Sequence, residues 1–190
     1  MGDGLRFMSK FFETETEITG PIAAKLFISS ETVDADIFLA FQLIDPQGKE
    51  VTFQGSNDPH TPIGLGWLRA SHRKLDASLN LPYRPYHTHD QLWPLTPGKV
   101  EELDVEIWPT CIVIPKGYRI ALTVKGNDYR YDGPTIRIPG IGYEMFGVGP
   151  FVHTHPKDRP AEIFDAKVTI EASGLNQPYL LLPIIPNKDS

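Results

Sequence analysis

A chain of 190 residues with 41% hydrophobic and 22% charged residues can bury one sizeable core and does not have the composition of a disordered segment. Its 18 prolines and 16 glycines interrupt it too often for long helices, because proline removes an amide donor and collides with the preceding turn. The net charge of −6 is spread without blocks, so no basic stripe is available for nucleic acid, and no segment reaches the roughly 20 apolar residues that span a bilayer.

Met1 to Lys10 hold no apolar run of signal-peptide length. These ten residues read as an N-terminal extension whose Met-Gly opening is compatible with an engineered start. Residues 11–186 read as one β-sandwich domain and 187–190 as a tail. A cytoplasmic location is expected.

The breaker pair Gly20-Pro21 opens the first predicted strand, Ile22 to Ile28. Asp36 to Ile44 is apolar on both faces and predicts a central strand. Asp45-Pro46-Gln47-Gly48 is a turn with proline fixing φ at its second position, and Glu50 to Phe53 is the hairpin partner. Gln54 to Leu65 reads as a long loop. Gly66 to Asn80 is the one stretch that fits a short helix, with Leu68, Leu75 and Leu79 on a shared face.

Val100 to Trp108 alternates, with Leu103, Val105 and Ile107 on one side and Glu102, Asp104 and Glu106 on the other. Cys111 beside Ile112, Val113 and Ile114 predicts a buried, inert thiol, and a lone cysteine excludes an internal disulfide. Tyr118 to Lys125 repeats the alternation after the turn at Lys116-Gly117. Asp128 to Pro160 is a second long loop, and loops of that length are usually functional or packed against something. Ala166 to Ala172 and Tyr179 to Ile185 read as closing strands. Many short strands between regular turns predict an all-β sandwich or jelly roll with one or two short helices.

The chemistry is sparse. No G-x-S-x-G elbow exists to expose a serine: Ser56 precedes Asn57-Asp58-Pro59, Ser173 lies in Ala172-Ser173-Gly174, and Ser71-His72 are mere sequence neighbours. No phosphate-cradling glycine loop appears. The tripeptide His87-Thr88-His89 recurs as His153-Thr154-His155, and histidines at i and i+2 of a strand point the same way. Four imidazoles (His87, His89, His153, His155) could therefore meet on one metal, as in jelly-roll metalloenzymes. Pro85 and Pro156 flank the pairs and favour loops with local hydrogen bonds, so no metal or other cofactor is expected. The carboxylates Glu101-Glu102 and Asp34 with Asp36 read as solvated surface. The loop aromatics Trp93, Tyr129, Tyr131 and Tyr143, with Tyr83 and Tyr86, could anchor a protein interface or stack on a sugar.

Several stretches carry a family resemblance. Phe12 to Ser30 reads FETETEITGPIAAKLFISS and is followed by Asp34-Ala35-Asp36-Ile37-Phe38. Then come Gly66-Trp67-Leu68-Arg69-Ala70-Ser71-His72-Arg73, Leu95-Thr96-Pro97-Gly98 and Ile114-Pro115-Lys116-Gly117-Tyr118-Arg119-Ile120. His155-Pro156-Lys157-Asp158-Arg159 and Tyr179-Leu180-Leu181-Leu182-Pro183 complete the series. In this order they resemble the C-terminal domain of the X-prolyl dipeptidyl-peptidase and cocaine esterase family of serine hydrolases.

The resemblance implies a jelly-roll sandwich similar to galactose-binding domains. It also implies a Ser, Asp and His triad on a separate, preceding α/β-hydrolase domain, so no catalytic residue is expected here. The expected partner is that hydrolase domain, whose substrate pocket this domain would help shape, with a homodimer as a further expectation. The alternative is a stand-alone carbohydrate-binding module.

Overall fold

The computed structural model describes residues 4–186 apart from 57, 136, 138, 141 and 143. Two five-stranded antiparallel sheets face each other across one core. The first contains β1 (Leu5–Met8), β3 (Asp36–Ile44), β4 (Glu50–Val51), β5 (Gly64–Arg69) and β7 (Arg119–Lys125). The second contains β2 (Thr16–Ser30), β6 (Glu101–Ile114), β8 (Val168–Ile170), β9 (Tyr179–Leu181) and β10 (Ile184–Ile185), with β2 pairing all four others.

β3 shows why a strand can be apolar on both sides. Ile37, Leu39, Phe41 and Leu43 enter the inter-sheet core, while Phe38, Ala40, Gln42 and Ile44 are buried on the opposite face. On that outer face Thr123 of β7 donates to Gln42 at 2.5 Å and accepts from Arg6 of β1 at 3.1 Å, which satisfies the buried amide oxygen. The β3–β4 hairpin is held by Asp45, whose Oδ1 accepts from the amides of Gln47 (2.9 Å) and Lys49 (2.8 Å), and Gly48 supplies the positive φ of 86° the turn needs.

Several elements depart from the sequence reading. β1 pairs with β7 from Leu5↔Val124 to Met8↔Ala121, so the sheet begins inside the segment read as an extension. β2 runs straight through Gly20-Pro21, because the pair sits at a register shift where no ladder amide is required of proline. The stretch Gly66 to Asn80 is not a helix. Its first residues are the end of β5, and only a 3₁₀ turn at Ala70–His72 follows. A turn closed by Asp76, which accepts from the amides of Ser78 and Leu79, ends the helical pattern. The single α-helix among the described residues is Ala161–Phe164 (α1).

The same register shift explains Cys111. Gly20 pairs with Thr110 and Ile22 with Ile107, so β6 carries one residue more than β2 between them. Parity therefore flips along β6: Leu103, Val105 and Ile107 face the core before the bulge, Ile114 after it. Cys111 lands outside and is exposed, not buried as its neighbours suggest, with Thr19 Oγ1 3.3 Å from its sulfur.

Candidate functional site

Glycines at Gly64 and Gly66 let β5 press onto β6 at one end of the sandwich. A Cβ on Gly66 would stand 2.2 Å from the Glu106 carbonyl oxygen. This close approach delivers Trp67 of β5 beside Trp108, which the alternation of β6 after buried Ile107 turns outward. Their rings meet edge to face, with centroids 5.6 Å apart, yet Trp67 keeps 47% and Trp108 57% of its surface exposed.

Two adjoining cavities of about 410 and 740 Å³ share Phe38, Gly66, Trp67, Trp108 and His153. Exposed Phe151 sits in the wall of the larger one. Single exposed apolar residues are ordinary; here two tryptophans and a phenylalanine are clustered along one groove.

The polar groups around the groove are paired. Arg69 forks onto Asp36 (2.8 and 3.0 Å) and onto Asp158 (3.1 Å twice), and Arg159 Nε lies 2.9 Å from Asp36. The bond to Asp36 holds the Arg69 guanidinium even more firmly protonated than usual, and Arg69 in turn holds the Asp158 carboxyl below its ordinary range. Asp34 and Asp36 are thus structural anchors and not solvated surface: Asp34 accepts from the Ser71 hydroxyl at 2.6 Å and from the Ser71 amide at 2.9 Å. Buried Ser71 is thereby a strut and not a nucleophile.

His153 is fixed twice by Asp128, through Nδ1 to Oδ1 at 2.8 Å and through its backbone amide to Oδ2 at 2.7 Å. Its ring lies between Phe38 (5.3 Å) and Trp67 (5.7 Å), so Asp128 sets its orientation inside the aromatic groove.

On the other side of the smaller cavity stand His72, His87 and His89. The Nδ1 atoms of His72 and His89 are 3.0 Å apart. Burial, reinforced by the neighbouring His89, pushes the His87 imidazole toward its neutral form.

The four histidines considered for one metal do not assemble. His87, His89 and His153 line the same cavity, but His153 is committed to Asp128, and exposed His155 accepts from the Lys157 amide in a separate turn. Among the described residues no three His, Cys, Asp or Glu side chains form a ready metal cage.

The loop aromatics do not form one platform either. Trp93 lies against Arg73, which donates to its carbonyl; Tyr129 is buried with its hydroxyl on Glu50 at 2.8 Å; Tyr131 stacks on His60 at 4.2 Å; Tyr143 lies outside the described residues. Burial, with the Glu50 charge beside it, pushes the Tyr129 phenol well above its ordinary range. Trp67, Trp108, His72 and Asp128 were the residues that sequence reasoning did not connect. The signals were present as the glycines around Trp67 and the proline after Trp108, which mark a close approach and a bulge.

A protein of Mycobacterium bovis named as a candidate serine esterase is 30% identical across 70% of this chain and 21% of its own length, and a Mycobacterium tuberculosis protein of the same description matches equally. The chain thus spans about a fifth of the curated relatives it matches. The fold recurs in a CocE/NonD family hydrolase of Staphylococcus aureus, at a TM-score of 0.75 and 24% identity, over 96% of this chain and 30% of that one. It recurs again in an α-amino acid ester hydrolase at a TM-score of 0.62 and 15% identity, over 96% of this chain and 26% of that one. The sequence pattern of the X-Pro dipeptidyl-peptidase C-terminal non-catalytic domain matches residues 1–141, and the chain belongs to that family.

Proposed function

We propose that this domain completes a serine hydrolase by seating its Trp67–Trp108 face on an α/β-hydrolase domain and walling one side of that domain's acyl or peptide pocket. The observation that carries the reading is the tryptophan pair, exposed yet in edge-to-face contact over an apolar groove. Rigid aromatic anchors with pre-paired charges around them are what a stable interface needs, because ion pairs already satisfied cost less to cover.

The geometry of β1 is consistent with it. In a C-terminal domain the rest of the polypeptide arrives through β1, whose first residue pairs with Val124. That end of β7 leads directly into Asp128 and the groove. Ester or peptide turnover belongs to the partner domain, since Ser71 is a strut and the chain has no serine elbow.

A chimera tests the proposal. This chain replaces the corresponding domain of the mycobacterial relative, and hydrolysis of an activated ester is measured. Turnover is expected with the unaltered chain and is expected to fall with Trp67→Ser plus Trp108→Ser. A folded chimera whose activity ignores both tryptophans would sink the assignment of this face.

A further inference from the structure

We propose that His72 and His89 form a two-imidazole site for a divalent transition ion of borderline softness, Cu²⁺, Ni²⁺ or Zn²⁺. Their Nδ1 atoms stand 3.0 Å apart. Two nitrogens bound to one ion at the usual distance of about 2.0–2.1 Å lie about 2.9 Å apart in adjacent square-planar positions and about 3.4 Å apart in tetrahedral ones. The observed spacing falls between these values. Without an ion, the same contact requires one ring to carry its proton on Nδ1. With an ion, that proton moves to Nε2 of the same ring, both Nδ1 lone pairs face the metal, and no net proton is lost.

Two further observations point to the same place. His89 holds a φ of +52°, the left-handed region that residues with a Cβ seldom occupy, and it is the one non-glycine residue to do so among the described residues. The segment before and after it is pinned: the Thr88 amide donates to the Lys74 carbonyl at 3.1 Å, and Lys74 Nζ grips Asp90 at 2.9 Å. The pinned backbone keeps His89 where its Nδ1 meets that of His72. A third imidazole, His87, lies with its ring centroid 6.0 Å from that of His89, and Glu106 lines the same cavity.

Water completes the coordination, since no third ligating side chain converges among the described residues. The ion ties the turn after β5 to the loop around His89. This site belongs to the chain by itself and does not depend on what covers the tryptophan face.

Titration of the 190-residue chain with the chlorides of Cu²⁺, Ni²⁺ and Zn²⁺ at about pH 7.5 tests the site, with calorimetry for stoichiometry and tryptophan fluorescence for position. Trp67 and Trp108 line the same cavity, so Cu²⁺ quenches them on binding. One ion per chain is expected, tightest for Cu²⁺.

His72→Ala and His89→Asn are each expected to weaken binding by roughly tenfold or more, asparagine being chosen because it tolerates the left-handed backbone. Circular dichroism checks that both variants fold. His155→Ala, outside the cavity, leaves binding unchanged. Absence of saturable binding, or stoichiometric binding that survives both variants, overturns the assignment.

Discussion

Removing the Asp36 carboxylate would take a buried ion-pair partner from two guanidinium groups at once, leaving Arg69 on exposed Asp158 and Arg159 on backbone carbonyls. Its side chain is only 8% exposed, and it receives Arg69 from β5 and Arg159 from the loop before α1. Taking away one partner of a largely buried pair leaves uncompensated charge, which typically costs about 3–5 kcal/mol. Asp36→Ala is therefore expected to lower unfolding stability by about 3 kcal/mol in a denaturant titration, and a change below about 1 kcal/mol would mean water already solvates both arginines. Asp58 acts similarly on backbone: buried, it accepts the amides of His60, Gly147 and Gly149 at 2.9, 2.7 and 3.0 Å and so clamps the two long loops together. None of this was legible from sequence, where Asp36 reads as solvated surface, because the partners lie far along the chain: Gly149 is 91 positions from Asp58, and Arg159 is farther still from Asp36.

At the scale of elements, the strands with clean alternation or two apolar faces could be read directly. β3 was predicted with the bounds it has, and the Glu102–Ile107 alternation in β6 matches its burial. What failed to read were the places where backbone approach overrides pattern. The leucine spacing at Leu68, Leu75 and Leu79 mimics a helix, but Gly64 and Gly66 commit that stretch to lying flat on β6. Gly66→Ala tests this. Its Cβ would meet the Glu106 carbonyl, a backbone atom that cannot swing aside, so the two strands must separate at a cost of about 1–3 kcal/mol. The expected signature is lower stability together with loss of the near-ultraviolet dichroism from the Trp67–Trp108 contact. Retention of that signal would show that the seam between β5 and β6 is looser than the contact implies.

Taken whole, the molecule should be more sensitive to mild acid than its carboxylates alone dictate. His87 is held toward its neutral form by burial and by the nearby His89 and His72, against a smaller pull from Asp104, so its folded-state pKa lies below the unfolded value of about 6.5. Between those two values the unfolded chain binds a proton that the native state refuses, and stability therefore rises with pH across that window. The loss begins as pH falls below about 6.5 and is complete once the folded-state value is passed. Asp158, held low by Arg69, follows the same sign but acts only below about pH 4. Thermal melts should accordingly show Tm falling between about pH 7 and pH 5, with the slope reduced in His87→Gln, which keeps the ring's polarity and removes its titration. A Tm that stays level over that range, or a slope that His87→Gln leaves intact, would place the acid sensitivity elsewhere and make the imidazole cluster a passive lining of the groove.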